Sequence, residues 1–201
     1  MSWHELQHQP NWYSGAKSES TKEYTARINY EKLICKSVKS FKQIVDCKID
    51  EGIQYRIVTN NSFNALTVLK AISEIEKVNK LYISSFRINA KAIIFLKEII
   101  INQKIESNIL TSSFLGETKK HEAAIDLLRK LKEETNLVKI GFAWLHTKVF
   151  LIKTESGKHI VFEGSGNMSN NAKIEQYIYE NNQQVFEFHA NWITETINNS
   201  K

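Results

Sequence analysis

The chain has 201 residues, 42% apolar, 10% aromatic and 24% charged, with a formal net charge of +5. That length and apolar share support one sizeable core without metal or disulfide staples, and they exclude an intrinsically disordered chain. No apolar run approaches the ~20 residues of a membrane-spanning helix, which excludes integral membrane association. Cys35 and Cys47 are too few for a disulfide framework or a zinc site and are expected to be reduced. The opening Met1-Ser2-Trp3-His4-Glu5 lacks the basic-then-apolar pattern of a secretion signal, so a cytoplasmic location is expected. The positive balance favours anionic partners such as nucleic acid, phosphoesters or a membrane surface, although many lysine-rich proteins bind nothing acidic.

Residues 1–25, through Trp12 and Tyr13, show neither helical nor strand period and read as a loosely structured N-terminal arm. Residues 26–201 read as a single domain with no internal repeat or linker. Between Tyr30 and Val45, the apolar residues Leu33, Ile34, Val38, Phe41, Ile44 and Val45 recur at threes and fours, predicting an amphipathic helix. Strand and helix then alternate. Gln54–Thr59 is a strand, and Asn60-Asn61-Ser62 turns into a helix carrying Leu66, Leu69, Ile72 and Ile75. Lys80–Phe86 is a strand, and Asn89 caps a helix carrying Ile93, Leu96 and Ile100. Ser107–Ser113 is a strand, and Thr118 opens a helix with Ala124, Leu127, Leu128 and Leu131 inward. Leu137–Trp144 is a fourth strand. This alternation implies crossover connections and a largely parallel sheet covered on both faces.

After Leu145 the helices drop out. Thr147–Lys153, Lys158–Glu163 and Gln176–Glu180 are strands, with Thr154-Glu155-Ser156-Gly157 as a hairpin turn. Gln183–Ile197 is a closing helix, with Val185, Phe188, Trp192 and Ile193 as core contacts.

Three clusters in this last third carry chemistry. His146-Thr147-Lys148 opens a strand, so alternation puts both side chains on one face about 7 Å apart. A cation there stabilises an anion, and the imidazole can act as nucleophile or general acid. Gly164-Ser165-Gly166-Asn167 follows the next strand; its glycines permit a sharp turn, and its hydroxyl and amide suit a phosphate oxygen. Glu175 starts the strand after that and could hold a histidine by its second nitrogen. Each cluster alone is commonplace: a surface pair, a strand-ending turn, a solvated carboxylate.

In this order and spacing, the three together resemble the phospholipase D superfamily, whose signature is His-x-Lys-(x)4-Asp with a downstream Gly-Ser-x-Asn. The resemblance spans His146 to Glu180. It implies an α/β phospholipase D-like sandwich, with a central mixed, largely parallel sheet flanked by helices. It also implies His146 as nucleophile or acid, Lys148 and Asn167 on the phosphoryl oxygens, and Glu175 as the orienting carboxylate. Ser165 and Gly166 support substrate binding. The signature aspartate falls on Lys153, which is expected to add substrate affinity rather than chemistry. No metal and no cofactor are expected.

The chain holds one motif, which resembles small nucleases that build the site from two subunits, so a homodimer is expected. The expected function is a metal-independent phosphodiesterase or nuclease working through a phosphohistidine, with DNA ahead of RNA as substrate. Two alternatives are a catalytically degenerate nucleic-acid-binding module and a phospholipid-acting phosphodiesterase. Elsewhere, Trp144 reads as core, with base stacking as a second role. His159 reads as a partly buried neighbour of the site. His121 reads as surface, and Lys119 and Lys120 as a solvated helix start within reach of a phosphate backbone. His4, His8 and His189 show no metal-ligand spacing.

Overall fold

A computed structural model describes residues 32–38, 49–60, 65–113, 119–169 and 174–200. Among them the chain runs β1 (Lys32–Val38), β2 (Ile53–Asn60), α1 (Ala65–Ser73), β3 (Val78–Ser85), α2 (Ala90–Gln103) and β4 (Glu106–Ser112). It continues through α3 (Lys119–Glu134), β5 (Val138–Ala143), β6 (Lys148–Thr154), β7 (His159–Gly164), β8 (Ile174–Asn181) and α4 (Gln183–Asn199). One eight-stranded sheet takes the order β1-β2-β8-β7-β6-β3-β4-β5.

The sheet is mixed. Parallel pairing is confined to β1–β2 and to β3–β4–β5, whose crossovers are α2 and α3. The centre is antiparallel, from β2 through β8, β7 and β6 to β3. The parallel share is thus smaller than strand–helix alternation implied, because β6, β7 and β8 insert between the two parallel blocks. The turn between β6 and β7 is as expected: Gly157 donates its N–H to the Thr154 carbonyl at 3.1 Å, at a φ of 91° that suits glycine.

Alternation along each strand sorts the core into two layers. On β6, Phe150 and Ile152 face α1, α2 and α3, whose Leu69, Ile93, Leu96 and Leu128 fill the larger core. Val149 and Leu151 face the other way, toward Phe186, Ala190, Ile193 and Ile197 of α4. Asn89 caps α2 as expected, its Oδ1 accepting the Ala92 N–H at 2.8 Å. Asn182 caps α4 by accepting from Gln184 and Val185.

Three expectations need correction. Lys32–Val38 is a strand rather than part of a helix, paired in parallel from Lys32 opposite Ile53 to Val38 opposite Thr59. A short apolar run satisfies either period, and the available edge of β2 decides between them. The rest of that expected helix, the 1–25 arm, Asn61-Ser62 and Thr118 lie outside the described residues. Ile75 falls beyond the end of α1 and is 60% exposed. On α4, Phe188 is 45% exposed, because the inward positions are 186, 190, 193 and 197. No helix among the described residues is long and apolar enough to cross a membrane.

Candidate active site

The strand register brings the three sequence clusters to one edge of the sheet. Lys148, first in β6, pairs with Ser85, last in β3. Gly164, last in β7, pairs with Tyr177, and Glu175 near the start of β8 pairs with Thr59 near the end of β2. This is the edge where the parallel strands end, the usual place for a ligand in an open α/β sheet.

His146 lies just before β6, in the segment that carries the chain from edge strand β5 across the ends of β4 and β3. Thr147 anchors that segment, its carbonyl accepting the Phe86 N–H at 3.1 Å and its hydroxyl meeting Ser84 Oγ. The Lys148 ammonium then folds back, 2.9 Å from His146 Nδ1 and 2.9 Å from the His146 carbonyl oxygen. The imidazole packs on Phe86, ring centres 4.7 Å apart, and Lys148 Nζ lies 5.8 Å from the same ring. Burial pulls the Lys148 ammonium below the ordinary lysine value, and the Glu175 carboxylate opposes that pull. A partly desolvated cation of this kind gains from an incoming anion.

The Gly164–Met168 turn brings in the other polar groups. Gly164 is obligatory there: a Cβ would come within 2.0 Å of the Gln176 carbonyl oxygen. Ser165 donates its hydroxyl to the Glu175 carboxylate and accepts the Gln176 N–H at 3.0 Å. Glu175 therefore engages Ser165 within this chain, not His146. The Asn167 Oδ1 accepts the Arg87 N–H at 3.2 Å, which ties Asn167 to the residue after Phe86, whose ring packs on His146. Gly166 is buried in a small pocket with Lys148, Ser85 and Met168.

A cleft of about 1080 Å³ opens from His146, Lys148 and Ser165 along β8 and β2 toward α4, where His189 and Trp192 form its wall. The sequence marks His189 only as lacking metal-ligand spacing and Trp192 only as a core contact; neither is expected at the site. The His189 Nε2 lies 3.2 Å from Glu163, and its Nδ1 accepts the Trp192 indole N–H at 3.0 Å. Two signals pointed there: the i, i+3 spacing of His189 and Trp192 on one helix, and the position of Glu163 directly before Gly164-Ser165. Arg87 and Phe86 are likewise not expected there, although they follow the end of a strand in the parallel block.

Lys153 is not brought to the site. It lies five residues along β6 from Lys148, ~17 Å away and on the opposite face, paired with His159. His159 is likewise at the far end, edge-on to Phe186, and is not a neighbour of His146. Burial, with the Lys153 charge as the next cause, holds His159 below the ordinary imidazole value. Trp144 is not core but 82% exposed. Leu145 turns into the α4-side core, and alternation sends Trp144 outward. His4, His8 and the side chains of Lys119, Lys120 and His121 lie outside the described residues. Among the described residues, no three His, Cys, Asp or Glu side chains cluster as a metal ion would require.

No family model matches the sequence, and no curated protein matches it. Solved structures do. Nuc from Salmonella typhimurium, a phospholipase D family member, aligns with 74% of this chain and 97% of its own, at TM-score 0.55 and 14% identity. NucT from Helicobacter pylori aligns over 72% of this chain and 96% of its own, at 0.53 and 16%. TrmBL2, an archaeal chromatin protein that binds DNA, aligns over 73% of this chain and 53% of its own, at 0.51 and 11%. The chain has the phospholipase D fold, a mixed α/β sandwich.

Proposed function

We propose that the protein is a phosphodiesterase of the nuclease type, cleaving nucleic acid through a covalent phosphohistidine on His146, with no metal ion required. One observation carries this reading: strand register brings the His146–Lys148 pair, the Ser165–Glu175 pair and Asn167 to the same end of the sheet, where a cleft lined by His146, Lys148 and Ser165 opens. In the substrate-free chain the Lys148 ammonium donates to His146 Nδ1. A phosphate oxygen competes for that ammonium and draws it away, releasing imidazole reactivity only when substrate is bound. The histidine nitrogen then attacks phosphorus, the P–O bond to the leaving nucleoside breaks, and a proton from a general acid neutralises the departing oxygen. Water next attacks the phosphorus, giving its proton back to the group that served as acid, and the P–N bond breaks to free His146. The net change is hydrolysis of one phosphodiester.

The general acid is His146 of the partner subunit in a homodimer, with Glu175 left to orient it across the shared site. Two exposed apolar side chains beside α4 support such a pairing. Among the described residues α4 packs over β3–β7, and Val58 on β2 is 46% exposed and Phe188 on α4 45% exposed. The distance of Lys153 from the cleft supports activity too, since the missing signature aspartate removes no group from the site. DNA is the substrate proposed ahead of RNA, and the cytoplasm the location.

The test is trapping. Labelled oligonucleotide quenched in base should leave an acid-labile, base-stable phosphoryl label on wild type and none on His146→Ala, with turnover surviving excess chelator. Loss of activity in chelator, restored by magnesium, would reject the mechanism. The second reading, a silent DNA-binding module, is favoured by the fold shared with TrmBL2. Binding without any cleavage would select it.

A further inference from the structure

Beside the cleft lies a second cavity of about 470 Å³, lined by Phe86, Ser112, Trp144, Leu145 and His146. His146 is a wall of both, so whatever fills the second cavity is attached to, or adjoins, the group held at the first. The cavity's size falls within the range of small-ligand pockets. Its rim holds Trp144, 82% exposed, and its floor holds Phe86, with the Arg87 guanidinium carbon 5.3 Å from the Phe86 ring centre. Trp144 is turned outward because Leu145 is the residue anchored in the α4-side core. An exposed indole, an aromatic floor and an adjacent cation are the combination that receives a flat, electron-rich ring tethered to an anionic backbone.

We propose that this cavity is a stacking subsite for an unpaired nucleobase flanking the phosphate at His146, making single-stranded nucleic acid the preferred substrate. The proposal rests on the nuclease reading for the position of the phosphate. In a duplex each base is already paired and stacked between its neighbours, and must leave that stack before it can lie on Trp144. A single strand offers the base directly.

Equilibrium binding tests this without relying on turnover. The probes are a fluorescein-labelled oligothymidylate, a strand of equal length with abasic spacers in place of the bases, and a blunt duplex. Wild type should bind the base-bearing strand more tightly than the abasic strand or the duplex. Trp144→Ala should weaken the base-bearing strand by roughly 10-fold and leave the abasic strand unchanged, while Trp144→Phe should keep most of the affinity. Trp144 is largely solvent-exposed, so Tm should not move. Unchanged affinity in Trp144→Ala overturns the proposal, as does wild-type binding of the abasic strand as tight as that of the base-bearing strand. Loss of affinity accompanied by a smaller particle in light scattering also overturns it, by making Trp144 a contact between copies of the chain. Trp144-dependent binding by a protein that cleaves nothing upholds the subsite and rejects the nuclease reading. Cleavage with Trp144-independent binding does the reverse.

Discussion

The Ser165 hydroxyl does two things at once: it satisfies the Gln176 N–H and it donates to the Glu175 carboxylate. Both bonds are exposed, so water replaces them in a variant and little stability rests on them. If Glu175 must be held at one angle to serve the reaction, Ser165→Ala should lower kcat about 10- to 100-fold with little change in Tm. Steady-state kinetics beside a thermal melt decides this, and an unchanged kcat removes Ser165 from the positioning role. His159 calls for the opposite kind of test, because its effect is on stability alone. Its folded value is depressed below the 6.5 of a free imidazole by burial, then by Lys153. The unfolded chain therefore takes up the proton first as pH falls. The stability that neutral His159 supplies is complete above pH ~6.5 and is lost as pH drops through the depressed folded value. Melting curves between neutral and mildly acidic pH should show a steeper loss of Tm in wild type than in His159→Gln. Relative kcat at neutral pH should be the same in both.

At the scale of elements, the β7–β8 junction connects packing to chemistry. Backbone packs where Gly164 meets Tyr177 and Gln176, and a methyl group at 164 would sit 2.0 Å from the Gln176 carbonyl oxygen. Gly164→Ala must push β8 away, and overpacking of this kind costs ~1–3 kcal/mol. Tm should fall by roughly 5–10 °C. Because the same shift moves Glu175 and Ser165, kcat should fall as well. Gly157→Ala provides the contrast: its strain comes from a φ of 91° in the β6–β7 turn, with no atom within 4 Å of the added Cβ. It should cost ~1 kcal/mol of stability and leave kcat as it was. Equal loss of activity in both variants would mean that the junction does not position the site.

For the whole molecule, the question is how many chains make one site. Glu175 is engaged with Ser165 of its own chain, and His146 with Lys148 of its own chain, so among the described residues each chain pairs its nucleophile with a cation rather than with a second acid. Refolding wild type with a large excess of His146→Ala places nearly every wild-type chain beside a mutant one. A shared site predicts that activity per wild-type chain falls far below its unmixed value. Full retention under confirmed mixing would show that each chain works alone.

The strands, helices and caps of the alternating region were legible in the sequence because each has a local cause. Asn89 caps its helix through its own side chain, and β6 is apolar on both sides because both its faces are covered. The His146–Lys148 pairing was legible for the same reason, since alternation along an extended segment is local. What the sequence could not decide is set by pairing partners far away in the chain. Whether 32–38 would be helix or strand depended on the edge that β2 presents. That Phe86 would pack on the His146 ring, and that His189 and Trp192 would wall the same cleft, depended on three strands inserting between two parallel blocks. An indole at the end of an apolar strand reads as core, with base stacking as a second role, and Trp144 is exposed because its neighbour Leu145 packs against the α4-side core. Local periodicity is encoded over a few residues, whereas neighbours in a sheet are chosen by which edges are free once the rest of the core has formed.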